Sequence, residues 1–398
     1  MRLLTNPIRP YPWGSEVAIA AWQGRPVPSA GPEAELWMGA HPSAPSLVCG
    51  PDGTTPLPEV IAQDPAHALG AAVLDRFGVR LPFLLKILAA ERPLSLQAHP
   101  DADQAERGYA RERGKAPDDG SRTYVDPYHK PELLVALDEF DALCGFRDPV
   151  RTAALLDSFG VPALKPVIDA LALPTAETAL RAATGLLIGW PDEDRASLVQ
   201  AVSQAGQARA GQGQPGQAYA LAADLGQRYP GDVGVVLALL LNRVSLRPDD
   251  AVFMPAGHLH AYLRGVGIEV MAASDNVLRG GLTNKHVDAA ELARILRFEV
   301  MTDPVLRPVR LGPGLVTWPA PVDDFALVKA ELAGLPVTLP GSGPRIVAVV
   351  RGQATLAAGA KTRTLSQSES VFVTASDPAV EVSGAGATVF QASVPLAG

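Results

Sequence analysis

Ser95-Leu96-Gln97-Ala98-His99 carries three polar side chains at alternate positions. On a strand these three share one face, while Leu94, Leu96 and Ala98 line the other. The pattern suits a sheet with a wet or ligand-bearing interior, and it equally describes a solvent-facing strand with a satisfied histidine. Tyr128-His129-Lys130-Pro131-Glu132 gathers three ionisable residues within four positions. Proline fixes the local backbone and could set Glu132 toward a metal; a solvated turn with an ion pair is the plainer alternative. Pro255-Ala256-Gly257-His258-Leu259-His260-Ala261-Tyr262 places two histidines at i and i+2 after a turn. Imidazole is the commonest protein ligand for zinc, yet the spacing does not say which histidine binds. In Ser274–Lys285, SDNVLRGGLTNK, the glycine pair lets backbone approach a ligand closely, and Arg279 with Lys285 could meet an oxyanion or phosphate. This is not a P-loop, because the G-x-x-x-x-G-K-[ST] spacing is absent, and a glycine turn with surface cations also fits it.

The elements around these stretches follow from periodicity and punctuation. From Met1 to about Asp148 the chain is rich in Pro, Gly and short apolar runs, and LPFLLKILAA with LSLQAHPD reads as two buried strands around a turn at Ala90–Pro93. From about Val150 to Tyr229 the pattern becomes helical, with Leu155, Leu156 and Phe159, then Leu198, Val199 and Val202, at i, i+1 and i+4. Gln204–Gln217 is polar and glycine-rich, and reads as an exposed loop. Strand character returns in VGVVLALLLNRVSL and DDAVFMPAG. A helix follows, opened by Asp288 and Glu291 as a capping-box pair and burying Leu292, Ile295 and Leu296. After about Arg307 the chain is strand-like to its end. Two β-rich regions flank a helical insertion, and short strands favour closed or sandwiched sheets over a parallel βαβ sheet.

Composition narrows the partners. Lys and Arg number 34 against 42 Asp and Glu, a net charge of −8, with no basic block to follow a nucleic-acid backbone. A local cation cluster can still hold a small anion. The amino terminus has no apolar secretory core, and the longest aliphatic run, Val235–Leu241, is far short of a bilayer span. With only two cysteines, Cys49 and Cys144, and no paired spacing, a reduced cytoplasmic protein is expected, with no membrane or nucleic-acid partner.

Singly each stretch is weak, but PFLLKIL, LSLQAHPD, YHKPE, HAYLRG and SDNVLRGGLTNK occur in this order and resemble the type I phosphomannose isomerases. Tyr11-Pro12-Trp13-Gly14 and Glu35-Leu36-Trp37-Met38-Gly39-Ala40-His41-Pro42-Ser43 extend the resemblance, which spans about Tyr11 to Phe298. It implies a mainly β chain: a cupin-type (jelly-roll) catalytic domain from residues 1–149 and 231–306, an α-helical insertion at 150–230, and a C-terminal cupin-like β-sandwich domain at 307–398. It further implies one zinc ion held by Gln97, His99, Glu132 and His260, leaving His258 where the family pattern is loose. The catalytic arginine of the family's motif matches Arg279. Gly280 departs from many relatives, which carry alanine there.

The implied reaction interconverts mannose 6-phosphate and fructose 6-phosphate through a cis-enediol. Such a zinc site keeps one net positive charge, which favours an enediolate oxygen, and Arg279 could stabilise the same charge. Gln, His and carboxylate ligands also suit Mn, Co or Fe, so zinc rests on the resemblance. The proton carrier stays open among Lys130, His129 and Lys285. Trp13, Lys86, Ser95 and Tyr262 are the candidates for holding the sugar phosphate, with Lys130 claimed for both roles. Oligomeric state is not legible.

Overall fold

Phe83–Ala90 is buried at every one of its eight positions. Such a strand belongs in the interior of a sheet covered on both faces. The computed structural model, which describes residues 1–50, 53–116, 122–211 and 216–395, places it there. It pairs antiparallel with Glu35–Gly39 on one side and with the long strand His260–Ala272 on the other. That long strand serves two layers. Its first residues pair with Leu96–Ala98 and Phe140–Phe146, and its second half pairs with Phe83–Ala90 and Glu132–Ala136. A register shift between Tyr262 and Arg264 marks where it bends from one layer to the other. Leu278–Gly281 closes the arrangement against Leu96–Ala98. The four chemistry-bearing stretches are thereby brought onto neighbouring strands.

The helical insertion backs this layer. Helices Pro149–Ser158, Lys165–Leu171, Ala176–Ile188, Asp192–Arg209 and Gly216–Arg228 bury Leu156, Leu180, Leu198, Val202 and Ala222 in one core with Leu96, Ala98, Leu259 and Ala261. Side chains alternate along a strand, so Gln97 and His260 project away from the helices. Two expectations for this region fail. Val233–Leu240 is a helical turn, Gly234–Leu237, followed by a 3₁₀ turn, Ala238–Leu240, and the strand starts only at Leu241. Val235–Leu241 is buried on every side, so the run carries no polar face by which its period could be read. Gln204–Arg209, read as loop, continues the preceding helix. Gly206 is there for close packing: a Cβ on it would lie 2.6 Å from the Tyr219 carbonyl oxygen of the next helix. Positions 212–215 of that stretch lie outside the described residues.

The C-terminal strands Ala326–Ala333, Arg345–Arg351, Ser370–Val373 and Ala385–Ser393 form a second sheet. The start of the chain also contributes to it. Arg2–Thr5 pairs with Ser370–Val373 and with Leu47–Gly50, so the start of the chain lies in the C-terminal sheet. One apolar core joins both sheets, with Leu85, Ile87, Val135 and Val270 packed together with Trp318, Leu327, Phe372 and Phe390.

Candidate active site

The strand starts at Glu132 and His260, together with His99 just past Leu96–Ala98, converge on one point. His99, Glu132 and His260 are all buried, and their ligand atoms lie within 4.8 Å of one another. His99 Nε2 is 3.4 Å from one Glu132 oxygen and His260 Nε2 is 3.2 Å from the other. Each ring is turned by a carbonyl: His99 Nδ1 donates to Asn276 O at 2.7 Å, and His260 Nδ1 donates to His258 O at 3.0 Å. Both Nε2 lone pairs are thus presented inward, the arrangement by which outer hydrogen bonds orient metal ligands. The Asn276 carbonyl is itself fixed, because its side-chain amide donates to Asp126 O and Tyr128 O and accepts from the Val125 amide.

Electrostatics prepare the same donors. Burial pushes the His99 imidazole down to about 4, and neighbouring Lys130 adds to this, so the ring is neutral at neutral pH. Burial alone would push the Glu132 carboxyl up, but Lys130, His99 and His260 outweigh it and hold the carboxyl well below its usual range. Lys130 Nζ is 2.8 Å from Glu132.

The cluster opens on a cavity of about 730 Å³. Gln97, Lys86, Ser95, Trp13, Lys130, Tyr262, Arg279 and Lys285 all line it, so nearly every candidate site residue is brought together. Gln97 faces His260 across one strand pair and Arg279 across the next. His258 does not join them: its Nε2 lies 3.1 Å from Glu299. His129 is a correction. Its Nε2 is 2.8 Å from Asp324 of the C-terminal part, and it lines a separate surface cavity with Pro131. Consecutive residues of an extended segment project to opposite sides, so Lys130 and Glu132 point in while His129 and Pro131 point out.

The sequence reading gave no role to Glu35, His41, Glu269 or Asp275, all of which line the cavity. Lys86 Nζ lies 2.7 Å from Glu269 and 3.5 Å from Glu35. Burial would lower its pKa, but these two carboxylates hold the ammonium above its usual range. Lys86 is therefore a fixed cation. Burial pushes the Glu269 carboxyl up, against Lys86. His41 and Asp275, 3.4 Å apart, also line the cavity. The one signal for Glu269 in the sequence is a lone charge inside the apolar run GIEVMAA.

Residues 1–149 match the family model described as phosphomannose isomerase type I, catalytic domain, and residues 315–392 match mannose-6-phosphate isomerase, cupin domain. Mannose-6-phosphate isomerase from Escherichia coli (strain K12) is 40% identical over 392 residues, covering 97% of this chain and 98% of its own length. The chain belongs to the type I phosphomannose isomerase family. The human mannose-6-phosphate isomerase is 33% identical, covering 83% of this chain and 82% of its own. A zinc-bound crystal structure of mannose 6-phosphate isomerase superposes with a TM-score of 0.90 at 36% identity, covering 99% of each chain. A mutant of phosphomannose isomerase from Salmonella typhimurium gives 0.89 at 36% identity over the full length of both. The cupin match also supplies what the residues after Arg307 lacked in the sequence reading.

Within this type I phosphomannose isomerase fold, the donor set fits a divalent metal. His99 Nε2 is buried and has no hydrogen-bond partner, although a carboxylate oxygen and a second imidazole face it. A buried polar atom left bare is costly, and a cation at the shared point would satisfy all three groups at once. No helix among the described residues is long and apolar enough to cross a membrane.

Proposed function

We propose that this protein is a metal-dependent aldose–ketose isomerase that interconverts mannose 6-phosphate and fructose 6-phosphate. The observation that carries the reading is the buried His99–Glu132–His260 cluster at the floor of a cavity lined by Lys86, Lys130, Arg279 and Lys285. Gln97, on the strand paired with His260, completes a ligand set for one zinc ion per chain. Bound zinc would act as a Lewis acid, favouring negative charge on the sugar oxygen that carries the carbonyl.

The protein's own residues divide the remaining work by charge and depth. Lys86 is enclosed by two carboxylates, so a phosphate dianion gains little there, and its cation and the Glu269 carboxyl suit the sugar hydroxyls. Lys285, exposed at the rim next to Arg279, suits the phosphate, with Ser95 as a neutral donor. Arg279 sits between the rim and the cluster, cationic at any working pH, and can face the charge that develops as the enediol forms. Lys130 is the lysine beside the reacting carbons. Its ammonium, 2.8 Å from Glu132, is the group placed to carry the proton between C1 and C2. Trp13, stacked on Tyr11, and buried Tyr262 wall the cavity and exclude water from the sugar. A cytoplasmic location fits a reaction that draws on sugar phosphates.

A coupled assay tests this directly. Purified protein with zinc supplied is expected to turn over mannose 6-phosphate and to leave unphosphorylated mannose nearly untouched. Absence of turnover with metal demonstrably bound overturns the reading. The division of roles has its own signature: Lys285→Ala raises KM with kcat largely kept, whereas Lys130→Ala lowers kcat with metal content unchanged.

A further inference from the structure

A second cavity, of about 420 Å³, lies where the helical insertion meets the strand Leu241–Leu246, and it shares no lining residue with the cavity over Glu132. Three arginines line it, Arg147, Arg151 and Arg243. Arg243 is paired with Asp141 at 3.1 Å and donates to Gln217 O, and its Nε is buried without a hydrogen-bond partner. Arg147 donates only to the Leu241 carbonyl at 3.1 Å; among the described residues it has no carboxylate partner, and burial lowers its pKa. Arg151 has no ion pair among the described residues either. Among the described residues, three guanidiniums thus face one carboxylate, an excess of two positive charges, with Arg147 and Arg243 half-buried and Arg151 exposed at the mouth. Cations withdrawn from water without an anion are unfavourable, and planar guanidinium forks match phosphate oxygens. Leu155, Leu221 and Leu239 supply an apolar wall beside them.

We propose that this cleft binds a phosphate monoester with a flat or apolar body, the chemical class of a nucleoside monophosphate. The monoester dianion offsets the charge excess, with a charge near −2 at neutral pH. The body covers the leucine wall, so inorganic phosphate and the bare nucleoside each satisfy half of the site.

Calorimetric titration of the zinc-loaded, full-length protein with AMP, inorganic phosphate and adenosine tests it. AMP is expected to bind once per chain, at least tenfold more tightly than either fragment. Binding should survive Arg279→Ala, which disables the other cavity. It should weaken at least tenfold in an Arg147→Ala/Arg151→Ala double variant whose turnover of mannose 6-phosphate is unchanged. Ala154→Trp, at an exposed position on the cleft wall, fills the cavity without removing charge and decides the matter should the double variant not fold. Equal affinity for inorganic phosphate and AMP overturns the organic body. No AMP binding at millimolar concentration overturns the site, as does binding that is lost in Arg279→Ala or indifferent to Ala154→Trp.

Discussion

At the scale of single residues, His258 and His260 separate chemistry from motif. Both follow the same turn, and spacing allows either to bind metal. Here His260 meets Glu132 while His258 turns to Glu299, so His260→Ala should purify metal-poor and nearly inactive. His258→Ala should retain metal and substantial turnover, as measured by elemental analysis and the coupled assay with excess zinc. The reverse pattern would mean the wrong histidine has been assigned. His99 carries a pH prediction. Its folded pKa, pushed down to about 4, lies below its unfolded value near 6.5. Between those values the unfolded chain takes up a proton that the folded apoprotein refuses, so stability falls as pH falls through that window. From pH 7 to pH 5 this amounts to about 2 kcal/mol for His99 alone. Chelator-treated protein should therefore melt lower at pH 5 than at pH 7, with a shallower dependence in His99→Gln; an identical dependence in the variant removes His99 as the cause. Motif reading found these histidines because they stand in short polar segments. It gave no role to Glu35, Glu269 and Asp275, whose partners Lys86 and His41 lie across strand pairs or loops that only folding brings together.

Among the elements, the stretch Leu278–Lys285 depends on how closely two backbones can pass. Gly281 has φ +132°, and a Cβ on it would lie 2.6 Å from the Gly234 Cα. Asp232 ties the two segments, accepting from the amides of Gly234 and Thr283. Gly280 differs: its Cβ would meet only the ends of leucine side chains, at 3.2 Å from Leu259 and 3.3 Å from Leu292, which can shift. Gly281→Ala should lose about 3 kcal/mol of stability and raise KM as Arg279 and Lys285 move. Gly280→Ala should melt within a few degrees of the wild type with KM kept. Equal effects from the two would show that neither backbone contact positions the segment. The sequence signals at this scale were uneven for physical reasons. The strand Phe83–Ala90 and the helix Ala289–Ile295 were legible from length, breakers and the Asp288 cap. Only half of that capping box forms, since Asp288 accepts from the Glu291 amide while the Glu291 carboxylate turns to Tyr124, Arg111 and Arg294. The helical turn at Gly234–Leu237 was illegible because burial on all sides erases the polar half of any period.

For the whole molecule, the two cupin-type regions behave as one body with a common core. Composition showed where strands and helices dominate, but it could not show that Arg2–Thr5 crosses to the far sheet, because pairing partners hundreds of residues apart leave no local pattern. The connection reaches the catalytic layer directly. Trp318 Nε1 donates to Asp249 O at 2.9 Å, Lys329 pairs with Asp249 at 2.7 Å, and His129, one residue before Lys130, pairs with Asp324. Removing residues 308–398 would strip Trp318, Phe325, Leu327, Phe372 and Phe390 from a core that also buries Leu85, Ile87, Val135 and Val270. Each large side chain uncovered forfeits roughly 1.5–3 kcal/mol of burial, so these four alone forfeit about 6–12 kcal/mol, comparable to the roughly 5–15 kcal/mol that holds a typical domain folded. Arg2–Thr5 would also lose its partner Ser370–Val373 and become an open edge, prone to pair with other chains. A chain ending at residue 307, although it keeps every candidate ligand and Arg279, should therefore be insoluble or lack near-ultraviolet circular dichroism, and it should hold no stoichiometric zinc. A soluble, cooperatively melting fragment with bound metal would show instead that the catalytic layer is an independent domain and that the shared core adds only stability.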